Sequence, residues 1–402
     1  MDSGDTAWLL VSAALVMFMT PGLAFFYGGL VRAKNVVGTI MQSFIALALV
    51  TVLWVLIGYT LAFGPDKGGV IGGLDFVGLR HVGAAPSPYA PTVPATTFMV
   101  FQLMFAIITP ALIAGAFAER MKFSGYLMLI GLWSILVYAP VAHWEWGGGF
   151  LGADGVGALD FAGGAVVHAN AGAAALATAF YLGKRRGHGT DDMAPHNVPF
   201  VILGAGILWF GWFGFNAGSA LASNALASSA FVNTQLGAAA AVLGWIILER
   251  MRTGKVTTIG AATGAVAGLA TITPAAGYVQ PLAALVIGLA AGFVCFQAVG
   301  LKSRFSYDDS LDVVGVHLVG GVIGVLLTGA FASLAINAAG AAASFAQVGK
   351  QAVLVVVTVG YSFTATMAIL KITDLTLGVR VTDEHEDAGL DVSQHGEVGY
   401  RF

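Results

Sequence analysis

Residues 36–63 read VVGTIMQSFIALALVTVLWVLIGYTLAF, a run that contains no charged side chain. A helix needs about 20 apolar residues to cross the roughly 30 Å hydrocarbon core of a bilayer, so this run predicts a membrane-spanning helix. The rest of the chain has the same character, since 57% of its 402 residues are hydrophobic, only 10% are charged and its mean hydropathy is +0.84. This composition excludes a soluble multidomain protein and predicts an all-α integral membrane protein.

Hydropathy read against polar breaks predicts eleven spans. They cover about residues 7–30, 36–63, 97–117, 123–142, 161–183, 198–216, 230–249, 257–274, 279–300, 313–335 and 351–372. The chain from Asp2 to Thr6 is acidic and leads directly into the first span, with neither the basic region nor the cleavage site of a signal peptide. We therefore expect the first helix to be retained.

The basic residues predict the orientation of the bundle. With eleven spans, fifteen of the 18 Lys and Arg residues fall on one side of the membrane. These are Arg32, Lys34, Arg120, Lys122, Lys184, Arg185, Arg186, Arg250, Arg252, Lys255, Lys302, Arg304, Lys371, Arg380 and Arg401. Only Lys67, Arg80 and Lys350 fall on the other. Because basic loops remain in the cytoplasm, we expect an N-terminus outside and a C-terminus inside the plasma or inner membrane.

Charge and cysteine content exclude other classes of protein. The formal net charge of -3 provides no basic surface, so no nucleic-acid partner is expected. Cys295 is the single cysteine and lies in an apolar run, where it is a packing residue without a partner in the chain. The 55 glycines often follow small-xxx-small spacing, which favours close helix packing but does not give the oligomeric state.

The second half of the chain repeats features of the first. Asp160 opens the fifth span, which carries His168, and Asp312 opens the tenth span, which carries His317. With five spans in each copy, the two copies run in opposite directions, as in the inverted repeats of channels and secondary transporters. We therefore predict a pore at the interface of the repeats. The predicted transmembrane domain covers 1–372, with repeat one over about 7–183, repeat two over about 198–335 and an extra helix over about 351–372.

His168 and His317 are the only two of the eight histidines that lie within spans. Ionisable groups in a bilayer usually line a pathway, although one histidine alone is equally consistent with a bond to a backbone carbonyl. Equivalent positions in inverted repeats bring the two together at the central axis, where a pair of imidazoles shares one hydrogen bond and stays uncharged. A zinc site needs a third ligand, and no Glu, Asp or Cys lies at helical spacing from either, so no metal is expected.

Asp160 and Asp312 each precede a helical run. A carboxylate at such a position can cap free backbone N–H groups and is favoured by the helix dipole. We expect this structural role for both residues. Asp160 would in addition give negative potential to the outer mouth of the pore.

Seven motifs follow one another along the chain. They are PGLAFFYGGL (21–30), QLMFA (102–106), GAFAER (115–120), WGGG (146–149), DFAGGAVVH (160–168), GWFGFNAGS (211–219) and DVVGVH (312–317). Together they resemble the ammonium transporter, methylammonium permease and Rhesus family, and the fifth and sixth motifs are the most specific. The resemblance implies eleven spans, two inverted five-helix halves and a homotrimer with one pore in each subunit.

The resemblance also implies roles for individual side chains. They are an outer recruitment site of Phe101, Trp146 and Ser219, a stacked gate of Phe105 and Phe215, a pore dyad of His168 and His317, and Trp212 in the pore wall. An ammonium ion over an aromatic face gains roughly 0.5 to 2 kcal/mol, and a hydroxyl can accept one of its N–H bonds. Membrane anchoring remains an alternative role for Trp146, and core packing remains one for Trp212.

The solvation of the solute explains why a dry pore would suit it. Moving a bare cation from water into a low-dielectric passage costs many kcal/mol, whereas neutral ammonia needs only one or two hydrogen-bonding partners. Ammonium can lose a proton and potassium cannot. We therefore expect a transporter or channel, not an enzyme, that deprotonates ammonium and passes ammonia, with or without a separately carried proton, and needs no cofactor. The alternatives are an ammonium sensor or receptor with little transport, and a transporter of methylammonium or carbon dioxide.

The segment 373–402 forms a tail with seven acidic and two basic residues. Composition alone is consistent with a solvated, disordered end. The resemblance instead implies an ordered cytoplasmic regulatory tail that packs beneath neighbouring subunits and assists regulation by PII-type signal proteins. We expect the ordered form.

Overall fold

Eleven apolar helices form a bundle in the computed structural model, which describes residues 1–401. In chain order they are α1 (Ser3–Leu30), α2 (Ala33–Phe63), α3 (Ala95–Phe117), α4 (Phe123–Trp146), α5 (Gly164–Leu182), α6 (Val198–Gly218), α7 (Ala225–Thr253), α8 (Thr258–Ile272), α9 (Pro281–Arg304), α10 (Val314–Phe331) and α11 (Phe345–Thr376). Within residues 1–401, ten of these are long and apolar enough to cross a membrane, whereas α8 has 15 residues and a length of about 22 Å. The prediction of an all-α membrane protein is confirmed, with an eighth helix shorter than the predicted 257–274.

Polar side chains determine where several helices begin. The side chains of Asp2, Asn197 and Thr257 each accept a hydrogen bond from a backbone N–H in the first turn of α1, α6 and α8. Each bond satisfies an N–H group that has no partner within its own helix. Helix α11 continues to Thr376, so the predicted boundary between the extra helix and the tail at residue 372 falls inside one continuous helix.

The two ends of α1 define two faces of the bundle, which we call the N-terminal face and the tail face. Two short antiparallel hairpins lie at the N-terminal face. They are β1 (Asp66–Lys67) with β2 (Ile71–Gly72), and β3 (Pro86–Ser87) with β4 (Ala90–Pro94). The backbone N–H of Asp2 donates to the carbonyl of Thr92, which fixes the start of α1 against β4.

The tail is folded against the tail face. It contains two short helical segments, α12 (Asp383–Ala388) and α13 (Asp391–His395). The carboxylate of Asp391 accepts hydrogen bonds from the backbone N–H groups of Val37 and Gly38, at 3.0 and 2.8 Å. The tail therefore caps the beginning of α2, where the helix dipole favours a negative charge.

Helices at equivalent places in the two halves pack against each other. Helix α1 lies along α6, and α5 lies along α10. A Cβ atom on Gly29 of α1 would lie 2.7 Å from the carbonyl oxygen of Asn197, and one on Gly211 of α6 would lie 2.7 Å from the carbonyl oxygen of Leu15. Only a residue without a side chain allows the two backbones to approach so closely. The first helices of the two halves thus form a tight seam.

Burial differs strongly between the helices. The most apolar stretch of α3 and of α5 is 83% buried, whereas that of α2 is 28% buried and that of α11 is 33% buried. Helices α3 and α5 therefore lie at the centre of the bundle, and α2 and α11 present most of their apolar surface outward. An apolar outward surface is what the hydrocarbon of a bilayer requires.

A buried network of ion pairs holds the tail face together. Arg185 pairs with Glu119 at 3.0 Å and with Asp308 at 2.9 Å, and Arg32 also pairs with Glu119. Burial alone would raise the pKa of Glu119 and of Asp308, but the guanidinium groups of Arg185, Arg32 and Arg120 hold the pKa of each carboxyl below its usual value. The network joins the loops that follow α1, α3, α5 and α9.

Candidate functional site

A cavity of about 250 Å³ opens into the bundle from the N-terminal face, and we call it the vestibule. Its wall is formed by Phe63, Tyr89, Phe98, Gln102, Phe105, Glu145, Trp146, Phe161, Ser219 and Leu221. Six of these ten side chains are aromatic, and four can accept a hydrogen bond. The wall thus combines π faces with a few polar acceptors, which is the surface that a small cation requires.

Trp146 and Ser219 are held in the vestibule wall by backbone carbonyls. The indole N–H of Trp146 donates to the carbonyl of Asp160 at 2.9 Å, and this bond fixes the plane of its ring. The hydroxyl of Ser219 donates to the carbonyl of Phe215 at 2.9 Å. Because the only proton of the hydroxyl is used in this bond, its lone pairs remain as acceptors for an N–H donor.

Phe105 and Phe215 stack on each other between α3 and α6. Their ring centroids lie 4.2 Å apart with 37° between the planes, and each side chain is only 1% exposed. Phe105 also belongs to the vestibule wall, whereas Phe101 lies behind it, with its ring edge-on to that of Phe105 at 5.0 Å. The residues expected to form one recruitment site are therefore divided, because Phe101 is fully buried and its ring contacts that of Phe105.

His168 and His317 meet beyond the stacked phenylalanines. Their Nδ1 atoms lie 3.2 Å apart and their rings are inclined by 19°. His168 also stacks on Trp212 at 5.4 Å and on Phe215 at 6.0 Å, and its Nε2 has no hydrogen-bond partner among residues 1–401. The indole N–H of Trp212 donates away from the histidines to Thr273 Oγ1 at 2.8 Å, which leaves its ring face toward His168.

The space around the two histidines is narrow and apolar. Its volume is about 10 Å³, and apolar side chains predominate in its wall. The wall consists of Met19, Leu23, Phe26, Ile108, Leu112, Val167, His168, Leu208, Trp212, Phe215, Val266 and His317. A hydrated cation does not fit such a space, and its wall offers hydrogen bonding to a solute only through the two imidazoles.

Each histidine lies on its own wide turn, in which backbone hydrogen bonds join residue i to residue i+5. These π turns are Gly164–Ala169 at the start of α5 and Val314–Leu318 at the start of α10. Wide turns of this kind are frequent at functional sites, because they re-aim a side chain that a regular helix would direct elsewhere. The equivalent turns in antiparallel helices direct the two imidazoles toward each other.

An aspartate caps each of these turns. The carboxylate of Asp160 accepts four backbone N–H bonds, from residues 163 to 166, at 2.6 to 3.0 Å. The carboxylate of Asp309 accepts bonds from Val313 and Val314 at 3.1 and 2.7 Å. Each aspartate precedes its histidine by eight residues, so Asp309 is the structural counterpart of Asp160 in the second half.

The capping role expected for Asp312 therefore belongs to Asp309. The carboxylate of Asp312 instead pairs with Lys302 near the end of α9. Asp312 has a backbone φ of 64°, a conformation that places its side chain outside the cap geometry. Its charge still has a structural partner, but that partner is a lysine and not the N-terminus of α10.

The vestibule contains two polar residues that the sequence did not single out as functional. Glu145 and Gln102 are each 8% exposed, and each has one oxygen that accepts no hydrogen bond from the described residues. The sequence signal for Glu145 is an acid beside Trp146 at the end of a span, and Gln102 begins the QLMFA motif.

Comparison with known proteins gives consistent matches along the whole chain. A family model described as the Ammonium Transporter Family matches residues 7–400. An ammonium transporter of Bacillus subtilis is 50% identical in an alignment that covers 100% of this chain and 99% of that protein. The crystal structure of Saccharomyces cerevisiae Mep2 has a TM-score of 0.92 at 36% identity, covering 100% of this chain and 92% of that chain. A structure described as a sensor Amt protein has a TM-score of 0.90 at 29% identity, covering 98% of both chains.

Proposed function

The chain belongs to the Ammonium Transporter Family, and on this basis we propose that it captures ammonium at the vestibule and passes neutral ammonia through the bundle. One observation carries the proposal. The vestibule, the stacked pair Phe105 and Phe215, and the pair His168 and His317 follow one another along a single line, since Phe105 lines the vestibule and Phe215 lines the histidine space. Each element supplies one step that the transfer of ammonia needs.

The first step is capture of the ion. The π face of Trp146 attracts a cation by roughly 0.5 to 2 kcal/mol, and the free lone pairs of Ser219 accept one N–H bond. Together they replace part of the hydration shell that the ion loses. The ring centroids of Trp146 and Phe105 lie 6.1 Å apart with the two rings nearly perpendicular, so an ion held here lies next to the gate.

The second step is loss of the proton and passage of ammonia. The gate and the apolar histidine space exclude water, so a charged solute would lose its hydration without replacement. Neutral ammonia needs only one or two partners, which the imidazole nitrogens of His168 and His317 provide in sequence. Potassium has no proton to lose and is therefore rejected. The proton released by ammonium either remains outside or follows the histidines separately.

The placement of the chain in its membrane and its assembly form part of the same proposal. The N-terminal face is the outer face of the plasma or inner membrane, and the tail face, with Arg32, Arg185 and Arg186, is the cytoplasmic one. Three copies assemble side by side, and exposed apolar side chains on α1 and α6, such as Leu10, Phe18 and Phe210, are available for that contact or for lipid. Residues 373–402 act as a cytoplasmic regulatory tail and a contact for a PII-type signal protein.

An uptake assay tests the proposal. The chain is produced in a bacterial strain that lacks its own ammonium carriers, and growth on low ammonium and uptake of labelled methylammonium are measured. We expect both to be restored, with methylammonium uptake inhibited by ammonium and unaffected by an equal concentration of potassium. Correctly inserted protein with no uptake would overturn transport and favour the sensor alternative, which the likeness to the sensor Amt protein makes the second candidate.

A further inference from the structure

Glu145 is an acidic side chain in the wall of the vestibule. It lies at the end of α4, directly before Trp146, and only 8% of its surface is exposed. Its Oε2 atom accepts no hydrogen bond from any residue in the described range 1–401. An ionised carboxylate oxygen buried without a partner is unfavourable by several kcal/mol unless the group takes up a proton or a donor or cation reaches it.

Asp160, the other carboxylate beside the vestibule, is not available to a ligand. Both of its oxygens are occupied by the four backbone N–H bonds at the start of α5. The two acids are close enough to interact, and the backbone of Asp160 also faces the Glu145 carboxylate. Of these two neighbouring acids, only Glu145 therefore has an oxygen without a hydrogen-bond partner among residues 1–401.

The partner that Glu145 lacks is supplied by the solute itself. We propose that Glu145 is a specificity-determining residue, whose Oε2 accepts an N–H bond from an ammonium or methylammonium ion in the vestibule. The inference rests on the proposed function and extends it, because Trp146 and Ser219 provide a π face and a neutral acceptor whereas Glu145 provides a carboxyl group, whose charged form a bound cation favours. A carboxylate favours a cation with N–H donors over neutral solutes such as carbon dioxide.

Two substitutions separate the charge of Glu145 from its shape. Glu145→Gln keeps the size and one acceptor oxygen, and Glu145→Val removes every polar atom. We expect Glu145→Gln to raise the half-saturating ammonium concentration about three- to thirtyfold, with a maximal rate close to that of the wild type, since an N–H bond to a charged group is stronger than one to a neutral group. Glu145→Val should weaken capture at least as much. If Glu145→Gln shifts the half-saturating concentration by less than about threefold, the proposal is wrong.

The control variant is Asp154→Asn, which removes one negative charge from the exposed loop on the same face. We expect it to behave as the wild type. An equal effect of Asp154→Asn and Glu145→Gln would attribute the result to the general surface charge and would also overturn the proposal.

A binding measurement keeps the inference separate from transport. Thermal unfolding of the purified wild type and of Glu145→Gln is followed with increasing ammonium chloride, against matched N-methylglucamine chloride. A bound ion stabilises the folded state, so the melting temperature of the wild type should rise with ammonium and that of Glu145→Gln should rise less. Equal rises would contradict the role of Glu145 even if the wild type transports ammonium. A wild type that binds ammonium without transporting it would refute only the proposed function.

Discussion

The Nδ1 atoms of His168 and His317 lie 3.2 Å apart, within reach of a single N–H···N hydrogen bond. Only one ring can donate in such a bond, so the tautomer of one imidazole determines that of the other. Transfer of the shared proton alone would leave one ring anionic and the other cationic, so both tautomers reverse only if Nε2 of the first ring gains a proton and Nε2 of the second ring loses one. Under the proposed function, the same pair of side chains would offer acceptors to ammonia and, with proton exchange at both Nε2 atoms, relay a proton.

Loss of either histidine should change conduction. We expect His168→Ala and His317→Ala to alter the ammonium transport rate or to admit potassium, because each removes the polar partner and opens space in a narrow apolar passage. The folded assembly should persist, as judged by gel filtration in detergent. His81→Asn, in the exposed loop between α2 and α3, is the control and should transport normally. If both pore variants retained the wild-type rate and selectivity, the role of the pair would be wrong.

Truncation of the gate should have a larger effect than truncation of the recruitment hydroxyl. Phe215→Ala removes one of two rings stacked at 4.2 Å and lets water enter, so we expect transport to be abolished or to lose selectivity. Ser219→Ala removes one acceptor, worth about 0.5 to 1.5 kcal/mol, and should mainly raise the half-saturating concentration, by about two- to tenfold. Currents from proteoliposomes, measured against ammonium concentration, provide both quantities.

Phe213 is the matched control for the gate variant. It lies on the same helix, only partly buried, and stacks on Phe231 at 4.0 Å instead of on Phe105. Phe213→Ala should therefore leave selectivity unchanged. Normal conduction by Phe215→Ala together with an inactive Ser219→Ala would mean that the gate and the recruitment site are assigned wrongly.

The sidedness of the two faces can be tested by labelling. In a Cys295→Ala background, Arg186→Cys on the tail face should react with a membrane-impermeant maleimide only in opened cells, whereas Lys67→Cys in β1 should react in intact cells. Cys295 itself is fully buried and its truncation leaves a small cavity, so the control is that Cys295→Ala alone transports as the wild type does. Labelling of Arg186→Cys in intact cells would reverse the proposed orientation.

Arg185 and Arg186 are adjacent in sequence but should differ in their contribution to stability. Arg185→Met leaves the buried carboxylates of Glu119 and Asp308 without their main partner, and we expect a loss of about 3 to 5 kcal/mol in the free energy of unfolding at neutral pH. Arg186 is 45% exposed and pairs with exposed acids, so Arg186→Met should melt close to the wild type. The melting temperatures of the wild type, Arg185→Met and Arg186→Met, measured in detergent, test this difference.

The effect of Arg185→Met should also depend on pH. In the wild type the pKa of Glu119 and that of Asp308 are lowered, so their contribution to stability is present above pH 4 to 5 and is lost as the pH falls through the lowered values. Without Arg185, only Arg32 at Glu119 and Arg120 at Asp308 oppose the effect of burial, so the pKa of both carboxyls rises and the variant loses less stability than the wild type as the pH falls. The difference in melting temperature between the two proteins should narrow on acidification. A constant difference between pH 7 and pH 4 would exclude this electrostatic cause.

The spans could be predicted from the sequence because the thickness of the bilayer imposes a length on each apolar run. The ends of the spans could not be predicted in the same way. A hydropathy profile falls at the first charged residue, whereas the backbone hydrogen bonds of a helix continue past it. Helix α11 includes Lys350 and Asp374, the charged residues on either side of the predicted 351–372, and extends beyond this range at both ends. Helix α8 is shorter than predicted, because Pro274 has no N–H group to continue the helical hydrogen bonds after Thr273.

The site shows a similar division. Identical Leu-Asp pairs suggested that Asp312 was the counterpart of Asp160, whereas the eight-residue spacing to each histidine identifies Asp309. Which way a side chain points from its helix depends on tertiary packing that no motif records. For this reason Phe101 was expected in the vestibule and lies behind Phe105, and the free oxygen of Glu145 was not expected.

The glycine seam between α1 and α6 limits how this molecule can move. Transporters that alternate their access rock one half against the other, and that motion needs an interface able to slide. Here the backbones of the two halves touch at Gly29 and Gly211 with no room for even a methyl group, so relative sliding would separate or collide main chains. We expect the halves to remain locked throughout the transport cycle. Opening of the proposed pore is then confined to side chains, and the expected turnover rate depends on how often the rings of Phe105 and Phe215 change rotamer.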